Sequence, residues 1–425
     1  MGEEYNHSVI LREDRCIGCT GCLKVCPTEA IRVRNGKAKI IPERCIDCGE
    51  CIKICPNHAK SAITDELSMI KKYKYSIAIP SLTIYGQFPS NIGISDMLEA
   101  IKKIGFDEVV EGTVGADISI HLIKEYLLKK PDIKVPVINS SCPAVIRLIQ
   151  MRFPDLIPNI IDIETPIEIT ARIAKTEASK RMGLSLEDIG VFFITPCTAR
   201  VTSIRNPLGI NKSYVNGAIS MKEIYGEIVR NLVTHNTPNM GTSTKESLFW
   251  PIAGGQAEAL DIENYLAVDG IHDVIRVLEE IELGKLEDVE FIECSACTGG
   301  CVGGPLVIQN SFIAKNRIMK YARNIKDTKH TEEELNKFIE MYESGFIRLT
   351  EKIEPKPVMM LDKDIVKSIQ KMEFVTEILK GLPGLDCGIC GSPTCRAFAE
   401  DIVKGENSRA ICMIKTMNGF KNRKS

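Results

Sequence analysis

No apolar run in this sequence is long enough to cross a bilayer, so a membrane-spanning helix is not expected. Nor does the opening MGEEYNHSVILREDRC carry a basic stretch followed by an apolar core, and a secretory signal is not expected either. Its first six residues, MGEEYN, lack the Ser or Thr that myristoylation needs. Charge of one sign is missing too. Lys and Arg number 54 against 56 Asp and Glu, a formal net charge of −2. Neither nucleic acid nor a membrane surface is therefore an expected partner. The expected compartment is the cytoplasm. With 425 residues, 44% hydrophobic and 26% charged, the chain should form a soluble protein of two to four domains.

Cysteine, by contrast, is abundant: 17 in all. In a reducing compartment thiols serve as metal ligands more often than as disulfides. They fall in groups. Eight precede residue 56, Cys142 and Cys197 stand alone, Cys294, Cys297 and Cys301 lie close together, and Cys387, Cys390, Cys395 and Cys412 close the series.

The run CIGCTGCLKVCP spaces Cys16, Cys19, Cys22 and Cys26 as C-x2-C-x2-C-x3-C-P. CIDCGECIKICP repeats it with Cys45, Cys48, Cys51 and Cys55. Paired C-x2-C motifs also bind zinc, but a doubled four-cysteine run ending in Cys-Pro resembles the bacterial two-cluster ferredoxins. The resemblance implies one 4Fe–4S cube on Cys16, Cys19, Cys22 and Cys55, and a second on Cys45, Cys48, Cys51 and Cys26. Pro27 and Pro56 should end short helices. AIRVRNGKAKII, with Asn35-Gly36 at its centre, predicts a hairpin.

Residues 77–350 alternate strand-like and helical stretches. Asp65–Lys74 reads as a connecting helix and YSIAIPSLTI as a strand. Ser95–Ile104 reads as a helix capped by Ser95, and FDEVVEG as a short strand. Asp117–Lys129 and Pro166–Arg181 read as helices. VPVINSSCPAV and IGVFFITPCTAR are strands running into loops at Cys142 and Cys197. This pattern predicts an α/β domain with a largely parallel sheet, whose ligands lie beyond the carboxyl ends of the strands. Each of those cysteines alone suits a buried structural thiol. With Cys297 and Cys301, in the glycine-rich ECSACTGGCVGGP, they make the four thiolates that a 4Fe–4S cube requires.

SSCPAV, TPCTAR and ECSACTGGCVGGP together resemble the three signature segments of the iron–iron (FeFe) hydrogenases, usually TSCCPxW, MPCxxK and ExMxCxxGCxxGGGxP. GFDEVVEGTVGADISI resembles the segment ahead of them. The resemblance covers roughly residues 1–350. It implies that Cys142, Cys197, Cys297 and Cys301 hold a cube, with Cys301 bridging to a two-iron subcluster that carries CO, cyanide and an azadithiolate. It also brings Thr165 and Pro166, in TPIE for the family's SPQQ, to the cofactor, with Ile167 in place of a glutamine.

Departures from the family pattern fall around those ligands. Ser141 stands where the proton-donating cysteine is usual, and a hydroxyl is a far weaker acid than a thiol. Val145 replaces the tryptophan of the first signature, and Thr195 the methionine of the second. Arg200 replaces a lysine, exchanging a point donor for a planar fork, and Ser295 replaces a methionine. The relay acids expected after ADISI give way to HLIKEYL, where neither His121 nor Glu125 fits the role. Ser141, Arg200 and Ser295 are thus the positions on which activity should turn. The pattern resembles the divergent, sensory branch of the family. It implies slow, reversible H₂ oxidation and proton reduction, with ferredoxin or another redox partner, a possible signalling partner, and oligomers allowed. Two alternatives stay open: a fully active ferredoxin-linked hydrogenase, and an electron-transfer or scaffold protein without the two-iron subcluster.

KIEPKPVMM reads as a charged, proline-bearing linker, and Asp364–Lys380 as a helix. GLPGLDCGICGSPTC sets Cys387, Cys390 and Cys395 as C-x2-C-x4-C, with Cys412 distal. This resembles the 4Fe–4S domain of corrinoid iron–sulfur proteins; a zinc knuckle is the alternative. The expected architecture is a ferredoxin-like α+β domain over 1–76, a hydrogenase large-subunit-like α/β domain over 77–350, a linker and helix over 351–375, and a small iron–sulfur domain over 376–425. Three accessory cubes and the active-site cube use sixteen thiols. Cys294 is left over, as a buried spare thiol or a member of a proton relay. GTSTKESLFWPIAGG reads as a polar loop with Trp250 as packing. The other histidines show no ligand spacing, and the KNRKS tail reads as a solvated basic end.

Overall fold

Asn35 and Gly36 both take positive φ, 52° and 72°, the backbone of a two-residue turn that matches the twist of a tight hairpin. A computed structural model describes residues 7–129, 134–233, 244–325, 330–362, 364–406 and 411–416; the KNRKS tail and His235 lie outside these. Four short strands open the chain: β1 (Val9–Leu11), β2 (Ile31–Arg34), β3 (Lys37–Ile40) and β4 (Lys60–Ala62). The turn joins β2 to β3, and β1 pairs antiparallel with β4, bringing the ends of the cysteine repeat together. Short helices Gly21–Lys24 and Glu50–Ile54 precede the two Cys-Pro pairs, as the repeat predicts.

Contacts divide the chain into two units. One holds Val9–Ala62 together with the segment from Lys356 onward. In that segment, the helix Ile365–Lys380 is capped by Asp364, which accepts from the backbone N–H of Val366 and Lys367. A second helix, Cys395–Val403, packs on it around Leu361, Val375 and Ala399.

The other unit runs Ile63–Pro355, joined by the segment ending at Ser8. Its strands are β5 (Tyr75–Pro80), β6 (Glu108–Val109), β7 (Val137–Ile138), β8 (Ile189–Thr195), β9 (Gly217–Ser220), β10 (Tyr265–Asp269) and β11 (Phe291–Ser295). All their pairings are parallel, but they form two sheets rather than the single one expected: β6-β5-β8-β9 and β10-β11-β7. β8 is buried along its whole length. It therefore reads as a continuous apolar run, as a central parallel strand should.

Three local expectations are corrected. Asp65–Lys74 forms only a short 3₁₀ helix, Leu67–Lys72, too brief for helical periodicity to show. Ser95 is no cap: the helix Ile94–Lys103 starts before it, from Gly93. The expected loop around Trp250 contains the helix Lys245–Phe249, closed by a capping box between Thr244 and Ser247. Trp250 itself packs in the core.

The helices Thr113–Lys129 and Pro166–Met182 approach each other at Gly115, whose N–H donates to Thr170 Oγ1 at 3.0 Å. A Cβ there would lie 1.9 Å from the Pro166 carbonyl oxygen. Gly115→Ala is therefore expected to force the helices apart and cost about 3 kcal/mol, the top of the overpacking range. Thermal unfolding of the variant against the wild type measures it.

Candidate active site and cluster cavities

All three signature segments leave the carboxyl end of a parallel strand, where ligands of such sheets collect. β7 runs through Asn139–Ser141 to Cys142, which precedes the helix Pro143–Arg152 as its N-cap. β8 runs through Pro196 to Cys197, the N-cap of the helix Thr198–Arg205. β11 runs through Ala296 to Cys297 and into the turn Cys301–Gly303. The glycines of that turn permit close approach. Gly300 has φ +89°, and a Cβ on it would sit 2.5 Å from the Ala253 nitrogen. At Gly304 a Cβ would sit 2.4 Å from the Pro196 oxygen. The third signature thus lies against the second, and Leu306 N–H donates to the same Pro196 oxygen at 3.0 Å.

Cys142, Cys197, Cys297 and Cys301 meet in this place. Burial, then the neighbouring Cys297 and Cys142, pushes the Cys197 thiol up to about 12. Burial and all three companions hold Cys301 well above the ordinary thiol range. Thiols such as Cys197 and Cys301 that resist ionisation are what a cationic metal group relieves, because it takes up the thiolate charge. Cys301 nevertheless keeps accessible surface.

Arg200 ties the first two signatures to TPIE. Its Nη2 donates to the Ser141 carbonyl at 2.6 Å and its Nη1 to Thr165 Oγ1 at 3.2 Å. Thr165 and Pro166 start the helix Pro166–Met182. Beside them lies a cavity of about 50 Å³, lined among others by Ser140, Glu164, Thr165, Glu168 and Arg200. Glu168 is buried and accepts from Ser213 Oγ at 2.6 Å and Tyr214 N–H at 3.0 Å. Glu164 is ion-paired with Arg172, yet burial pushes its carboxyl up to about 8 against that attraction.

Ser141 Oγ lies 3.4 Å from Gln256 Oε1, which also accepts from Asn139 Nδ2 at 3.0 Å. Gln256 is tied in turn to Glu293, whose carboxylate accepts from the N–H of Gly254, Gln256 and Ala257, each at 3.0 Å. Burial pushes Glu293 up to about 7, opposed by those three donors. Sequence reasoning quoted Glu293 without a role and missed Asn139, Gln256, Glu164 and Glu168. Asn139 and Glu164 adjoin recognised segments and Glu168 ends TPIE, the only signal available.

Ser295 ends β11 opposite Asp269 of β10, its carbonyl accepting from Gly270 N–H at 2.9 Å. Cys294, one residue earlier, is fully buried, and burial holds its thiol neutral. His121 stacks edge-on to Phe338 and Glu125 pairs with Lys129, both on the helix Thr113–Lys129.

The other unit contains three small cavities, each lined by four thiols. Cys16, Cys19, Cys22 and Cys55 line one. Cys26, Cys45, Cys48 and Cys51 line another. Cys387, Cys390, Cys395 and Cys412 line the third. Every group unites thiols that are distant in sequence.

Comparison with known proteins agrees with this arrangement. The family described as iron only hydrogenase large subunit, C-terminal domain, matches residues 74–264 and 255–305, more than half the chain. The chain belongs to the iron-only hydrogenase family. A 4Fe-4S dicluster family matches residues 8–56, and an Fe-S cluster family matches 382–414. The periplasmic [Fe] hydrogenase large subunit of Nitratidesulfovibrio vulgaris is 27% identical over 73% of this chain and 89% of its own length. The NADP-reducing hydrogenase subunit HndD of Solidesulfovibrio fructosivorans is 22% identical over 69% of this chain and 56% of its own. The cytosolic Fe-S cluster assembly factor NAR1 of Scheffersomyces stipitis matches a shorter stretch, 27% identical over 23% of this chain and 18% of its own. A structure of the [FeFe]-hydrogenase HydA1 from Chlamydomonas reinhardtii shares the fold, with TM-score 0.51 over 67% of this chain and 95% of that one, at 16% identity. Among the described residues no helix is long and apolar enough to cross a membrane. The periplasmic relative leaves the compartment open.

Proposed function

We propose that this hydrogenase-family protein interconverts H₂ with protons and electrons, slowly, in a sensory or regulatory setting. The observation that carries the reading is the meeting of Cys142, Cys197, Cys297 and Cys301 beside Arg200, at the strand ends of a fold shared with a known [FeFe]-hydrogenase. These thiols would hold a 4Fe–4S cube, with Cys301 as the bridge to a two-iron subcluster bearing CO, cyanide and an azadithiolate. When bound, that group supplies the heterolytic chemistry of H₂.

The chain's own residues would set how well it works. Arg200, anchored on Ser141 and Thr165, presents a fixed cation toward the site. Ser141 offers a hydroxyl where an acid would serve better, and its partner Gln256 is an amide that neither gains nor loses a proton near neutral pH. Slow turnover follows from that pairing. Ser295 and the missing methionines leave the site more polar than the family pattern.

The remaining twelve thiols would hold three accessory cubes. The Fe-S cluster families that match residues 8–56 and 382–414 support cubes over zinc at these three sites. Electrons would be exchanged with ferredoxin or a similar redox partner.

The partial match to NAR1 supports a second reading, a cluster-bearing scaffold without the two-iron subcluster. Infrared spectra of protein supplied anaerobically with the two-iron cofactor separate the two. CO and cyanide bands, with about 18 irons per chain, are expected for the hydrogenase; no bands and about 16 irons would establish the scaffold.

A further inference from the structure

The strand β2 has two working faces. Side chains alternate along a strand, and here the alternation divides two tasks. Ile31 and Val33 line the ferredoxin cavities, Val33 that of Cys16, Cys19, Cys22 and Cys55. Arg32 and Arg34 point the other way, to Asp401 on the C-terminal helix. Arg32 binds that carboxylate through Nε at 2.7 Å and Nη2 at 2.9 Å, and Arg34 through Nη2 at 2.7 Å. Ser392 Oγ adds a fourth bond at 2.9 Å. Asp401 is 2% exposed, so this is a buried, fully bonded carboxylate between two guanidinium forks, the geometry that gives ion pairs directional strength.

The clamp brings the C-terminal cysteine loop onto the same wall. Val33 N–H donates to the Gly391 carbonyl at 2.8 Å, and Arg34 Nη1 donates to it at 2.6 Å. A Cβ on Gly391 would lie 2.0 Å from the Val33 oxygen, so only glycine allows this approach. At Gly388 a Cβ would lie 3.1 Å from Leu23 Cδ2. Leu23 follows Cys22, and Gly388 follows Cys387. One cavity's cysteine and the other's are therefore separated by a single packed pair of residues.

We propose that β2 is a shared wall that seats the C-terminal cluster directly against the cluster of Cys16, Cys19, Cys22 and Cys55, with Asp401 as the positioning residue. This rests on reading both cysteine sets as 4Fe–4S ligands, and is independent of the two-iron subcluster. The C-terminal domain is then an electron port to the ferredoxin part. One electron crossing the wall oxidises one cube and reduces the other, and no proton or co-reactant is needed.

Electron paramagnetic resonance of the reduced full chain, made without the two-iron cofactor, tests this. Cys395→Ala should remove about four irons and the C-terminal signal, and should narrow and slow the relaxation of the Cys16-group signal. An unchanged Cys16-group signal overturns the seating. Asp401→Asn, nearly isosteric, should retain all the iron but lose the magnetic coupling. Coupling kept at full intensity overturns the role of Asp401. If Asp401→Asn sheds the cluster, Arg34→Lys gives the same reading with the Arg32 pair intact: weakened coupling supports the seat, unchanged coupling overturns it. A wild type without any C-terminal cube signal or iron would instead refute the ligand reading itself.

Discussion

Cys301→Ser is expected to erase the CO and cyanide infrared bands and H₂ turnover while the fold stands. The thiol sits where the third signature turns, at the start of Cys301–Gly303. Its backbone carbonyl accepts from Gly304 N–H at 3.0 Å, a bond that serine keeps. The side chain is what changes. A serine hydroxyl is a poor ligand for the soft iron of a cluster, where thiolate is strongly preferred. Burial and the Cys197, Cys142 and Cys297 thiols hold Cys301 well above its ordinary range, so its ionisation depends on a metal partner. Iron should fall from about 18 to no more than about 16 per chain, with far-ultraviolet circular dichroism unchanged. Retained bands and turnover would show that Cys301 is not the bridge.

Which thiols would meet was legible in the sequence, because cysteine spacing is a local signal and the repeat is explicit. Cys22 and Cys55 lie far apart in the chain, yet the two copies of C-x2-C-x2-C-x3-C-P already implied their common cavity. The hairpin at Asn35-Gly36 was legible for the same reason: two residues with positive φ carry their own chemistry. The parallel α/β pattern of the larger unit also showed through, since β5 and β8 are largely apolar and buried over almost all their length.

What stayed hidden depends on pairing across the chain. Two sheets and one sheet have the same sequence pattern; only the partners of β7, β10 and β11 distinguish them. Arg32 and Asp401 are 369 residues apart, and neither has a local feature that points to the other. Gln256 directly follows the stretch that reads as a polar loop. Its place beside Ser141 follows from Glu293, whose carboxylate gathers the N–H groups of Gly254, Gln256 and Ala257 at the start of the helix Gly255–Leu260. Negative charge at such an end is favourable, so one buried acid both caps a helix and delivers an amide to the first signature. Ser141 and Gln256 are therefore neighbours in space though 115 residues apart in sequence.

That coupling leads to the second large effect. Glu293, held at about 7 by burial, can exchange a proton near neutral pH. Between it and the site stand Gln256 and Ser141, and neither ionises there. A thiol, at roughly 8–9, would give up a proton far more readily than the serine hydroxyl. A Glu at 256 would still accept from Asn139 Nδ2, now 3.0 Å from Gln256 Oε1. Ser141→Cys alone repairs one break and Gln256→Glu the other, so each alone should raise turnover little. Together they should raise it about 10²-fold, the lower end of what a placed general acid contributes. The excess over the two single effects is the signature of neighbouring groups acting in series. Infrared bands measured on the same samples fix the cofactor occupancy by which each rate is divided. A double variant no faster than the wild type at equal occupancy would sink the interrupted relay, and the proposed slow turnover would then rest on Arg200 or Ser295 alone.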